Sequence, residues 1–274
     1  MIVPLKKPST FQYHRFLDEA GDTTFYGKGK IPILGKEGVS LSFTLGMARF
    51  REPLPELRER IVSLQKEIET SPLFKSMESV KKRVQKGGFY FHAKDDSNDL
   101  KKVFFDFILS TDCTFQAVVA RKSVERFKKN HNDNEIEFYA DLLSHLLKDK
   151  LNYPKLILNV AERQNSTSNK NLERAIQKAS DRHKKKHPAK QIIPNIGYSV
   201  HKFQDEPLLC IADYLCWVIQ RVFERGEIRF YEYMLPKISL VLDLYDTDIY
   251  SSWKNYYDSK NPLTYKNKIG PLSP

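Results

Sequence analysis

The sequence predicts an α/β fold, a mixed sheet flanked by helices with a helical insertion between the second and third strands. Three observations lead there. Short apolar runs that read as strands occupy residues 13–18 and 40–49 and return at 114–121. A largely charged, helix-periodic stretch over residues 53–112 separates the second run from the third. Beyond residue 121 helices and strands alternate, which argues for a sheet covered on its faces.

Taken in order, YHRFLD (13–18) is a strand that stops at the Gly-containing turn EAGD, and a loop with Gly27, Gly29, Pro32, Gly35 and Gly38 follows. SLSFTLGMAR (40–49) is the second strand. Residues 55–86 form two helices broken at Ser71-Pro72 and ended by Gly87-Gly88, and FYFHAKDD (89–96) is extended. Ser97 caps a helix with Leu100, Val103, Phe104, Phe107 and Ile108 on one side. TFQAVVAR (114–121) is the third strand, and a helix over 135–151 turns Ile136, Tyr139, Ala140, Leu143, Leu146 and Leu147 inward. KLILNVAE (155–162) is the fourth strand, a strongly basic helix covers 169–187, and the fifth strand covers 191–203. A long helix over 207–225 and another over 230–243 complete one domain, residues 1–250, with a basic and aromatic tail at 251–274. With 53–112 set aside as an insertion, the order β-β-β-α-β-α-β-α is that of a ribonuclease-H-like core.

Composition narrows the function classes. Hydrophobic residues make up 41% of 274 and aromatics 12%, enough for a substantial core. The formal net charge is +11, from 45 Lys+Arg against 34 Asp+Glu, and a basic surface attracts polyanions such as nucleic acid. Cys113, Cys210 and Cys216 form no CxxC pair, which speaks against zinc knots and disulfide frameworks and fits a reducing cytosol. The N-terminus lacks a leader-like apolar core, and no run approaches the ~18 apolar residues of a membrane span. Nucleotide-binding loops (GxGxxG, GxxxxGK[ST]) and the GxSxG elbow are absent.

Carboxylates carry the candidate chemistry. Asp18-Glu19-Ala20-Gly21-Asp22 ends the first strand. Period-two geometry puts Asp18 on the face of Phe16 and Glu19 on that of Leu17, unless the turn at Gly21 redirects Glu19. Glu162 ends the row Leu156, Leu158, Val160, at the strand end where ligands gather in open α/β sheets. Asp213 lies in PLLCIADYLCWVIQRVFERGE, opposite the stripe Leu208, Ile211, Leu215, Val218, Val222, yet surrounded by apolar neighbours. Each has a plainer reading: an acidic turn, a solvated strand end, or a polar line along Glu206, Asp213, Gln220 and Glu224 facing water. Phosphodiester hydrolysis adds charge to an anion, and two Mg or Mn ions held by convergent carboxylates suit that chemistry. His92 could orient a phosphate, bind metal or shuttle a proton, or serve as a structural hydrogen-bonder. Asp22 is a possible accessory. Arg182, Lys184, Lys185 and Lys186 form a basic cluster that could grip nucleic acid or simply suit a helix C-terminus. The tail's mixed aromatic and basic residues could stack on bases or pack as a strap.

FLDEAGD resembles the Asp-Glu-Ser-Gly-Asp start of the bacterial family called domain of unknown function 3800 (DUF3800). PLLCIADYLCWVIQRVFERGE resembles that family's late helix with its Ala-Asp pair, and FHAKDD its middle motif. Ala20 stands where the family has Ser, so this chain lacks that hydroxyl. The resemblance spans roughly residues 13–240. It implies a ribonuclease-H-like, metal-dependent nuclease, with members often found beside mobile elements and phage defence. It points to Asp18, Glu19 and Asp213. Glu162 matches the acidic fourth-strand position of ribonuclease-H-like folds generally, and Glu135 or Glu137 could add a fourth carboxylate. The expectation is a cytoplasmic Mg/Mn nuclease in which Asp18, Glu162 and Asp213 hold the metals and Glu19 assists. Its rivals are a nucleic-acid-binding module that does not cut and a scaffold within a multi-protein defence assembly.

Overall fold

One mixed sheet organises the chain, in the order β5-β4-β1-β2-β3-β6-β7. The computed structural model describes residues 12–36, 38–147, 150, 155–162, 169–186, 188, 195–245 and 255–270. Its strands are β1 (Tyr13–Gly21), β2 (Ser42–Phe50), β3 (Cys113–Arg121), β4 (Lys155–Ala161), β5 (Asn195–His201), β6 (Ile238–Asp243) and β7 (Tyr256–Tyr257). Its helices are α1 (Leu54–Thr70), α2 (Glu78–Gln85), α3 (Asn98–Ser110), α4 (Val124–His131), α5 (Glu135–Leu147), α6 (Asn169–Lys186), α7 (Leu209–Arg225) and α8 (Arg229–Met234). β1, β2 and β3 form an antiparallel meander, while β4 and β5 add in parallel beside β1. These five strands have the order and senses of a ribonuclease-H-like core, and α1–α3 are the helical insertion between β2 and β3.

Strand alternation divides the core in two. Phe16, Ala48 and Ala161 face α7 and the insertion helices. Leu17, Met47, Leu156, Leu158 and Val160 face α5 and α6. Helix α7 is apolar nearly all round because it lies between the sheet and α3: its Tyr214 packs edge-on against Phe104 and Phe105. Ser97 caps α3 as its sequence implies, accepting from the Leu100 amide at 3.3 Å.

Several elements differ from the sequence reading. The helix expected over 230–243 ends at Met234, and Ile238–Asp243 is instead β6, parallel to β3. Pro236 interrupts the helix, and the β-rich ISLVLD finds an open sheet edge. Strand β1 does not stop at Asp18 but runs to Gly21. FYFHAKDD is not extended throughout, because residues 93–96 turn back and the amides of Asp95 and Asp96 both reach the His92 carbonyl. Helix α4 was not anticipated. The expected strand residues 191–194 lie outside the described residues. The described part of the tail is a strap: Leu263 is buried, and the Ile269 amide reaches the Phe223 carbonyl at 2.8 Å. Among the described residues no helix is long and apolar enough to cross a membrane.

Candidate active site

Asp18 on β1 and Asp213 on α7 both lie near Cys216, where β1 passes beneath α7. Asp18 is only 6% exposed, on the α7 face, and its register partner on β2 is Gly46. A Cβ at Gly46 would stand 2.5 Å from Cys216 Sγ, so glycine is what lets α7 approach so closely. Cys216 lies one turn after Asp213, and its Sγ donates to the Asp18 carbonyl at 3.1 Å. Asp213 is 8% exposed, so the solvent-facing polar line does not exist. Glu206 on that line is also buried, bound to Arg58, and Glu224 binds the Ser42 amide and hydroxyl, both at 2.6 Å. Burial pushes the Asp213 carboxyl above the usual carboxylate range, against the opposing pull of His92 and the Ala93 amide. Burial and the nearby charges of Asp18 and Asp213 likewise push the Cys216 thiol well up.

The turn at 92–96 closes the site. Its anchor is Asp96, which binds the Arg83 guanidinium, the Tyr214 hydroxyl and the His92 amide. So held, the turn presents the Ala93 amide to Asp213 Oδ2 at 2.6 Å, and His92 Nδ1 stands 3.1 Å from Asp95. The middle motif thus reaches Asp213 through its backbone, while its most buried carboxylate, Asp96, is structural.

Other predicted residues lie elsewhere. Because β1 stays regular through Glu19, that side chain falls on the α5 face with Leu17, not beside Asp18. The Glu162 amide continues the ladder to His201 at 2.8 Å, so Glu162 follows Val160 onto the α5 face and is exposed there. It is Ala161 that occupies the row of Asp18. By that alternation Glu162 does not share the face of Asp18, since a one-residue step reverses the face. Glu135 accepts from the Thr23 hydroxyl at 2.9 Å, and Glu137 pairs with Lys178 and Arg174 of α6. Asp22 is an internal tie: its carboxylate binds the Ser40 amide at 2.7 Å and Lys122 Nζ at 3.0 Å. Burial would raise Asp22, but the Ser40 amide and the ammonium outweigh it and hold its pKa down.

The basic cluster is also remote. Arg182 is engaged by Asp141 and Ser144, tying α6 to α5. Lys184 and Lys185 are exposed, and Lys186 ends the helix with its side chain outside those described. As a parallel crossover, α6 descends from the carboxyl end of β4 toward the start of β5. Its last turn therefore lies roughly 25 Å, the helix length, from the end that carries Asp18.

One residue escaped the sequence reading. Ile196 and Tyr198 of β5 pack on the α5 side, so Gly197, Ser199 and His201 face the other way. His201 pairs with Ala161 and so continues the row Gly46, Asp18, Ala161, with its Nε2 2.6 Å from Ser199 Oγ. The signal was present in the alternation of NIGYSVH, but only the sheet order shows which neighbours that face has.

Asp18 and Asp213 offer hard oxygen donors, and no hydrogen bond among the described residues reaches Asp213 Oδ1. Among the described residues no three His, Cys, Asp or Glu side chains form a ligand set by themselves. A carboxylate pair nevertheless fits Mg or Mn, which commonly bind through one or two carboxylates and complete their shell with water and substrate phosphate. The chain matches no model of a known protein family and no curated protein.

Proposed function

We propose that the chain is a divalent-metal-dependent nuclease, with Asp18 and Asp213 holding the metal and His92 serving the proton transfer. The observation that supports this reading is a pair of nearly buried carboxylates, on β1 and α7, that both lie near Cys216, whose Sγ reaches the Asp18 carbonyl and which stands one turn after Asp213. With no Arg or Lys paired to Asp213 among the described residues, a cation is the natural counter-charge for a carboxyl so desolvated. The bound cation would supply charge neutralisation at the phosphate and an acidified water. Asp18 and Asp213 would hold it, each carboxylate accepting from a backbone amide, that of Glu19 at 2.8 Å and that of Ala93 at 2.6 Å. His92, whose Nδ1 lies 3.1 Å from Asp95, would take a proton from the attacking water or return one to the leaving oxygen. The resemblance of FLDEAGD and the late Ala-Asp helix to DUF3800 points the same way.

The test is cleavage of labelled single- and double-stranded DNA and RNA with Mg²⁺ or Mn²⁺. Cleavage should vanish in EDTA and in Asp18→Asn and Asp213→Asn, and fall by at least about a hundredfold in His92→Gln. Failure to cut any of the four substrates would overturn the reading, as would an Asp213→Asn protein with the wild-type rate.

A further inference from the structure

Two segments meet beside the turn whose Ala93 amide reaches Asp213. Tyr90 precedes the turn at 92–96, and Phe203 follows β5. Their rings stack 5.7 Å apart at 10°, and His92 meets Phe203 edge-on at 5.9 Å. Both rings are only partly buried. The Arg83 guanidinium lies over the Tyr90 ring at 5.4 Å, so Tyr90 backs Phe203 from behind. Each segment also carries an exposed lysine, Lys94 and Lys202, and among the described residues neither is held in an ion pair. His92 and His201 stand on the same two segments.

We propose that this lip is a platform for single-stranded nucleic acid, with Phe203, backed by Tyr90, stacking on an unpaired base and Lys94 and Lys202 holding the flanking phosphates. The location of the substrate rests on the nuclease reading above. Aromatic faces beside exposed cations suit single strands, because an unpaired base offers its ring face while a duplex keeps its faces stacked internally. The remote cluster at Lys184 and Lys185 offers only charge. The lip offers charge and stacking at the edge of the carboxylates.

The experiment is fluorescence anisotropy in EDTA with labelled oligothymidylate, oligouridylate and a DNA duplex of equal length. Wild type should bind a single strand more tightly than the duplex, and the two oligonucleotides show whether the 2′-hydroxyl matters. Phe203→Leu should weaken single-strand binding about tenfold, with Phe203→Tyr restoring it. Lys202→Glu, at an exposed position, should reduce the salt slope by about 0.7, the value of one lost phosphate contact. Tighter duplex binding overturns the proposal, as do Phe203→Leu and Lys202→Glu proteins that both bind like wild type. The two readings fail separately. A protein that grips single strands but cuts nothing in Mn²⁺ sinks the nuclease and leaves the platform. One that cuts duplex while ignoring single strands does the reverse.

Discussion

Gly46 allows the site to be broken without touching a carboxylate. In Gly46→Ala the new Cβ would lie 2.2 Å from Phe115 Cζ and 2.5 Å from Cys216 Sγ. Carbon contacts normally sit at ~3.5–4.0 Å, so ring and helix must together retreat by more than ~1 Å. Neither can swing into solvent, because Phe115 and Cys216 are both fully buried. Overpacking of this kind costs about 1–3 kcal/mol. At ~2–4 °C per kcal/mol for a chain of this size, Tm falls by roughly 2–12 °C. The retreat also carries Asp213 away from Asp18, so Mn²⁺ affinity should fall although both ligands remain. Urea unfolding gives the first quantity, and calorimetric Mn²⁺ titration, at a temperature where the variant stays folded, gives the second. Phe115→Leu in the Gly46→Ala background removes the nearest clashing atoms, so the double variant should be more stable than the two single losses added together. A Gly46→Ala protein within about 0.5 kcal/mol of wild type, with unchanged Mn²⁺ affinity, would refute the close approach of α7 on which the site depends.

Other outcomes follow from the same geometry. Asp213 has a folded pKa raised by burial, so its contribution to stability is present below the unfolded pKa and is lost as pH rises through the folded one. Metal-free Asp213→Asn should therefore melt at or above wild type at neutral pH, with the advantage gone below about pH 4, while Mn²⁺ should stabilise only wild type. Lower stability of the variant with and without Mn²⁺ would mean that the carboxylate is structural. Asp96→Ala strands the Arg83 guanidinium, whose side chain is 7% exposed, and should cost about 3–5 kcal/mol in urea unfolding; a loss under 1 kcal/mol, the scale of a surface pair, would contradict the buried pairing. Charge reversal at Lys184 and Lys185 should leave the salt slope of nucleic-acid binding unchanged, and a slope reduced by more than about one would bring α6 back onto the binding path.

The sequence by itself determined the fold class, the insertion and its Ser97 cap, and the strands on or beside which Asp18 and Glu162 lie, because period-two alternation, helical spacing and capping are local signals. It also marked Asp213, since a carboxylate within an apolar helix is conspicuous in any fold. It could not decide whether the helix turned that carboxylate to solvent or to the sheet, because both readings satisfy the same spacing. Nor could it place β6, whose ISLVLD becomes a strand only because the edge of β3 is open to receive it. Tertiary structure also decided which carboxylates share a face. Glu19 and Glu162 each lie one residue from a position facing α7, and in a strand one residue is the whole difference between two faces. His201 joins the row of Asp18 only through the sheet order β5-β4-β1, which is long-range pairing that no local pattern encodes.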